Sequence, residues 1–88
     1  MPIFVTMTDK FMSGWGEAKG KINKYVVECS SHKEAQICAI NARLRSEMKY
    51  VNIVLNKPYY NQERYLVSHK KFRELGSIWT QDPDNKGD

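Results

Sequence analysis

The chain reads as an α+β domain: a four- or five-stranded, mainly antiparallel sheet with one helix packed on one face, in the order β-β-α-β-β. Three observations predict it. Short runs rich in β-branched and aromatic residues recur along the chain, as in PIFVTMT, KINKYVVEC, KYVNIVL and RYLVSHKKF. Only one stretch, SSHKEAQICAINARLRSEM, has helical spacing behind a capping box. Eighty-eight residues leave no room for a second core, so all of this belongs to one domain over residues 1–80.

The first strand is expected over residues 3–8, where apolar and polar residues alternate. TDKFMSGWGEAKGK follows, with three glycines and a tryptophan in a segment too irregular for helix or strand. The second strand is expected at residues 21–29, which makes the glycine-rich segment a connection between strands. Ser31, three residues before Glu34, marks the start of a helix over about residues 32–46. Residues 49–55 form the third strand. NKPYYNQE is a turn-rich connection, because Pro58 lacks a donor and the asparagines suit turns. Residues 64–72 form the fourth strand. RELGSIWT is expected to add a short strand or to pin the end through Ile78 and Trp79. QDPDNKGD, residues 81–88, has almost nothing to bury and reads as a disordered acidic tail.

The helix carries two apolar sides. Ala35, Cys38, Ala39 and Ala42 cluster on one, and Ile37, Ile40 and Leu44 on nearly the opposite one. Small residues permit close approach, so the alanine side is expected on the sheet. The aliphatic side is then covered by the 58–63 connection or by Trp79, or it is a homodimer or partner face.

Composition, 41% hydrophobic and 27% charged, is that of an ordinary globular chain. No apolar run approaches the ~18 residues of a membrane span, so no membrane partner is expected. MPIFVTMTDK lacks a charged segment ahead of an apolar stretch, so no secretory signal is expected and the cytoplasm is the expected location. Residues 1–80 hold thirteen Lys and Arg against seven acids, a net charge of +6. Such a field favours acidic partners, nucleic acid and acidic protein faces alike.

No phosphate-binding motif fits the glycines. Gly14 and Gly20 have five residues between them where a Walker loop needs four, and Lys19 stands where the dinucleotide pattern needs glycine. A general anion-attracting loop remains, through backbone N–H groups and Lys10, Lys19 and Lys21. Trp15 is either a core lid or a stacking and docking anchor. Cys29 and Cys38 are read as two buried thiols, and a metal site joining them to His32 and His69 lacks the paired close spacings such sites use. No metal and no cofactor is therefore expected. No triad context surrounds the histidines and no enzyme activity is expected. A shared pocket holding His69 with Cys29 or Glu28 would change that reading.

The stronger signal is the interleaving of rings and cations in KYVNIVLNKPYYNQERYLVSHKKFR. Single-stranded nucleic acid is held by lysines and arginines on phosphates and by aromatic faces under bases. Lys10, Lys19, Lys21, Lys57, Arg64, Lys70 and Lys71 are the candidate cationic contacts, and Trp15, Tyr59 and Tyr60 the candidate stacking residues. Whether Arg64, Leu66 and Ser68 or Tyr65, Val67 and His69 share the open side with Tyr50, Asn52 and Val54 is not readable.

MTDKFMSGWGEAKGKINK, with SEMKYVNI and NKPYY, resembles short single-domain proteins encoded by tailed bacteriophages and related bacterial mobile elements. The likeness covers roughly residues 5–67 and carries no catalytic motif. It implies a bacterial host cell and two kinds of work common among such proteins. One is contact with nucleic acid or a nucleoprotein. The alternative is an anti-CRISPR-like inhibitor that docks on a protein of a host defence system, acting as a homodimer through Ile37, Ile40 and Leu44.

Overall fold

The computed structural model describes residues 2–12 and 14–81, apart from the side chain of Ile78. Strands β1 (Ile3–Asp9), β2 (Ile22–Cys29), β3 (Met48–Val54) and β4 (Tyr65–Lys71) form one sheet in the order β3-β1-β2-β4. Helix α1 (His32–Arg43) packs on it, and a one-turn helix α2 (Ser77–Thr80) follows β4. The fold is α+β. Two of its three ladders are antiparallel, β1 with β2 and β1 with β3, whereas β4 joins β2 in parallel. The expected acidic tail, residues 82–88, lies outside the described residues, as does the Ile78 side chain.

Parallel entry of β4 has a geometric cause. β3 and β4 occupy opposite edges yet run the same way, so residues 55–64 must cross the whole sheet and return its length. Ten residues reach at most about 33–36 Å, and the crossing needs about 25 Å. The segment therefore has little slack, and Pro58 suits its extended course. An Asx turn closes it: the Asn61 side-chain oxygen accepts from the Glu63 N–H at 2.8 Å, ahead of the β4 start.

The other crossover is α1, on the opposite face. Ser31 caps it by accepting from the Glu34 N–H at 3.2 Å, and the Glu34 carboxylate accepts from the Ser30 N–H at 2.9 Å. Ala35, Cys38, Ala39 and Ala42 are all buried against Ile3, Val5, Met7, Val27 and Cys29. The small residues do lie on the sheet, as the spacing predicts.

β1 is buried at every position. A central strand alternating IFVTMTD is buried throughout only when both faces are covered. Ile3, Val5 and Met7 meet the helix, while Phe4, Thr6 and Thr8 lie on the other face, where the 55–64 connection crosses.

The C-terminal segment covers the part of the helix-side face that α1 leaves open. Trp79, Leu75 and Tyr25 pack against the core, and Phe72 is buried in it. The Arg45 guanidinium stacks over the Trp79 ring at 5.0 Å and pairs with Glu47 at 2.7 Å. Of the two expectations for residues 73–80, the short strand is absent and turns with α2 stand in its place, while Trp79 pins the segment to the core. Among the described residues, no helix is long and apolar enough to cross a membrane.

Candidate nucleic-acid interface

Register decides which residues share the sheet face away from α1. Thr8 pairs with Lys24, Thr6 with Val26 and Phe4 with Glu28. On the other side of β2, Ile22 pairs with Tyr65, Lys24 with Val67, Val26 with His69 and Glu28 with Lys71. Tyr65, Val67 and His69 are therefore the β4 residues on the open side, and Leu66, Ser68 and Lys70 turn toward the helix side.

β3 adds to the open face through a bulge. Its register slips between Thr6 and Thr8, where Tyr50 takes a φ of 54°. A non-glycine residue in the left-handed region is strained, and the Asn52 side chain donates to the Tyr50 carbonyl at 3.1 Å across the irregularity. The bulge aims the Tyr50 ring toward two cations, Lys10 at 5.5 Å and Lys24 at 5.9 Å.

Lys24 is the centre of the face. Its Nζ donates to Thr8 Oγ1 at 2.5 Å and sits within 6 Å of the Tyr50, Tyr60 and Tyr65 ring centroids. Burial holds its pKa below the ordinary lysine value. The Tyr60 and Tyr65 rings themselves meet at 5.2 Å, tilted by 55°. Between the connection and β4 lies a cleft of about 470 Å³, bordered by Lys21, Lys57, Tyr59, Tyr60, Tyr65 and His69. Tyr59 is 90% exposed at its rim. A second cleft of about 200 Å³ continues it, with Glu28, Lys57, His69, Lys70, Lys71 and Glu74 around the walls.

The structure thus gathers Lys10, Lys21, Lys57, Tyr59, Tyr60 and Lys71 on or beside one face. It separates the others. Lys70 is a helix-side residue by register, although as an edge residue it borders the second cleft as well. Arg64 is exposed in the turn before β4, its carbonyl accepting from the Ile22 N–H. Trp15 and Lys19 belong to the 10–21 loop, which folds toward the helix-side residues Asn23, Tyr25, Leu66 and Ser68. The Trp15 side of the loop and the open face are therefore two surfaces, while Lys10 and Lys21 at the loop's ends border the open face. Trp15 is 72% exposed, so it is no core lid.

Several backbone amides of the loop are already engaged within the chain. The Phe11 and Met12 N–H groups donate to the Asp9 carboxylate, each at 3.0 Å. Those of Gly14, Trp15, Ala18, Lys19 and Lys21 donate to carbonyls within the loop. Amides already committed this way have no hydrogen left for a phosphate.

Ile37 packs against the core and Ile40 is half-buried, which leaves Leu44, 73% exposed, as the open part of the aliphatic side. Cys29 and Cys38 are fully buried on the helix side, on the opposite side of the sheet from His69. A hydrogen bond shared with Cys29, and burial, push the Cys38 thiol well above its ordinary value. Among the described residues no group of three His, Cys, Asp or Glu side chains gathers that could hold a metal. His69 does share the second cleft with Glu28; both side chains are solvent-exposed.

Lys24, Tyr50 and Tyr65 are central here yet stand outside the predicted contact residues. Lys24 gave a faint signal, since it occupies an alternation position shared with Ile22 and Val26 and so had to share their face. Tyr50 was expected on the open side with Asn52 and Val54, but the bulge that turns its ring toward Lys10 and Lys24 is not visible before the strands pair. The chain matches no protein-family model, and comparison with curated proteins and with solved structures finds no match.

Proposed function

We propose that the open sheet face binds single-stranded nucleic acid, free or within a nucleoprotein. The observation that carries this reading is the Lys24 ammonium held among the Tyr50, Tyr60 and Tyr65 rings, beside a cleft rimmed by Lys21, Lys57 and the exposed Tyr59. Rings give bases a surface to stack on without regard to sequence, and lysines around them meet the phosphates. A duplex, whose bases are already stacked, offers the rings nothing. The resemblance to phage-encoded proteins supports an action in the cytoplasm of a bacterial host, where an inhibitor of a nucleic-acid-handling defence machine would meet such strands.

The test is fluorescence anisotropy with labelled single-stranded and duplex oligonucleotides, DNA and RNA, over a salt series. Single strands are expected to bind more tightly, with log affinity falling against log salt at a slope near about −3.5 for about five phosphates neutralised. Tyr59→Ala and Tyr60→Ala should each weaken binding by about 1–3 kcal/mol. Lys24→Met should weaken it too, by removing the cation and loosening the rings. No binding of any oligonucleotide at low salt would end the proposal.

A further inference from the structure

We infer that the binding groove of the open face ends at Glu28 and Glu74, so that it holds a short single-stranded segment of about four to six nucleotides, the low end for one small domain, and does not track along a longer strand. This deepens the nucleic-acid reading and rests on it. Three clefts run into one another along the β4 side of the sheet. The first, of about 470 Å³, shares Lys57 and His69 with the second, of about 200 Å³. The second shares Glu28, Lys71 and Glu74 with a third, of about 380 Å³, which also reaches Ser30 and Glu34 at the start of α1.

Charge changes sign along this path. Lys21 and Lys57 border the first cleft, and no acid is among its lining residues. In the second, Lys57, Lys70 and Lys71 stand with Glu28 and Glu74. In the third, Glu28, Glu34 and Glu74 outnumber Lys71 and Arg73, and Arg73 already lies 3.9 Å from the Glu34 carboxylate. Among the described residues no cation is within ion-pair distance of Glu28 or Glu74, and both side chains are exposed. Their charges therefore act on whatever lies in the groove, and a phosphate carried past Lys71 meets repulsion. Four residues of β2 separate Lys24 from Glu28, about 13 Å, whereas exposed charges are screened beyond about 8 Å at physiological salt. The acids thus act on the far end of a bound strand and leave the tyrosine cluster alone.

Stacking surface stops at the same place. Tyr59, Tyr60 and Tyr65 all border the first cleft. The rings farther along are Phe4 and Phe72, which are 6% and 8% exposed and offer no face to a base. The face itself is short, since the eight residues of β2 span about 26 Å.

Anisotropy with labelled oligothymidylates of about three to twenty nucleotides tests the inference at near-physiological salt. Affinity, corrected for the number of registers a longer strand offers, is expected to level off at about four to six nucleotides. In Glu28→Gln/Glu74→Gln it should go on rising for at least about two more, with a salt slope steeper by about 0.7 per phosphate gained. Strands of about four nucleotides should gain no more than about twofold from that double substitution, and strands of about ten at least about tenfold. Glu17→Gln removes an acid from the 10–21 loop, away from the groove, and should leave the levelling point where it is. All three acids are exposed, and far-ultraviolet circular dichroism checks that the variants remain folded. Affinity that climbs steadily past about ten nucleotides in the native chain would overturn the inference. So would a levelling point unmoved in the double variant, or a gain equal at every length, which is a general effect of charge. In each of these cases strands still bind and the proposed function stands. No binding at any length removes the proposed function, and this inference with it.

Discussion

The Asn41 side-chain amide donates to the Trp79 carbonyl at 2.8 Å and to the Gln81 carbonyl at 2.9 Å. One buried side chain on α1 thus fastens the end of α2 and the residue after it, carbonyls that a one-turn helix has no means of satisfying itself. Asn41→Ala removes both hydrogen bonds and leaves those acceptors part-buried. We expect a loss of about 1–3 kcal/mol in urea unfolding. We also expect a Trp79 emission shift toward longer wavelength, as the C-terminal turn loosens from Arg45. An unchanged stability would mean that packing of Trp79 alone secures the segment.

Acid should act on the capping box. The Ser30 N–H donating to its carboxylate holds the Glu34 pKa below the ordinary value, aided by the Ser30 hydroxyl and by Arg73. A depressed carboxyl pKa gives stability that is present above the unfolded value of about 4.3 and lost as pH falls through the lower, folded value. Stability from this group is then flat from neutrality down to about pH 5 and declines below about pH 4. Glu34→Gln should lessen that decline, in part only, since the Glu47 carboxyl, hydrogen-bonded by its own backbone N–H and then by Arg45, is shifted the same way. Ser31→Ala should cost about 1 kcal/mol at every pH.

The two thiols report on the core. Cys29 and Cys38 are wholly buried between α1 and the sheet, and the Cys38 thiol is held in its protonated form. Neither should react with a maleimide in native buffer, and both should react in denaturant. Labelling in native buffer at a rate above that of global unfolding would show that α1 opens locally.

RNA bound to the open face should be recovered intact. His69 and Glu28 border one cleft, and both side chains are exposed to water. His69→Ala is expected to change affinity slightly and to change no product. New ends bearing a 2′,3′-cyclic phosphate, absent in His69→Ala and in Glu28→Gln, would make the cleft catalytic instead.

Much of this molecule was written locally. Alternation in IFVTMTD and INKYVVEC, the Ser31–Glu34 box and the spacing of Ala35, Cys38, Ala39 and Ala42 each depend on neighbours within a few residues, and the elements form within one or two residues of their expected bounds, except that α1 ends at Arg43. Strand partnership is not local. Whether Tyr65 or Leu66 shares a face with Lys24 depends on a parallel pairing between β2 and β4, and a shift of one residue would have exchanged them. The crossing of residues 55–64 over the open face, which brings Tyr60 to Lys24, follows from strand order rather than from any residue in NKPYYNQE. So the sequence alone determined which rings and cations this protein carries. Tertiary structure decided that most gather on one face and that Trp15 stands apart from them, because in a sheet the neighbours across the ladder are set by topology.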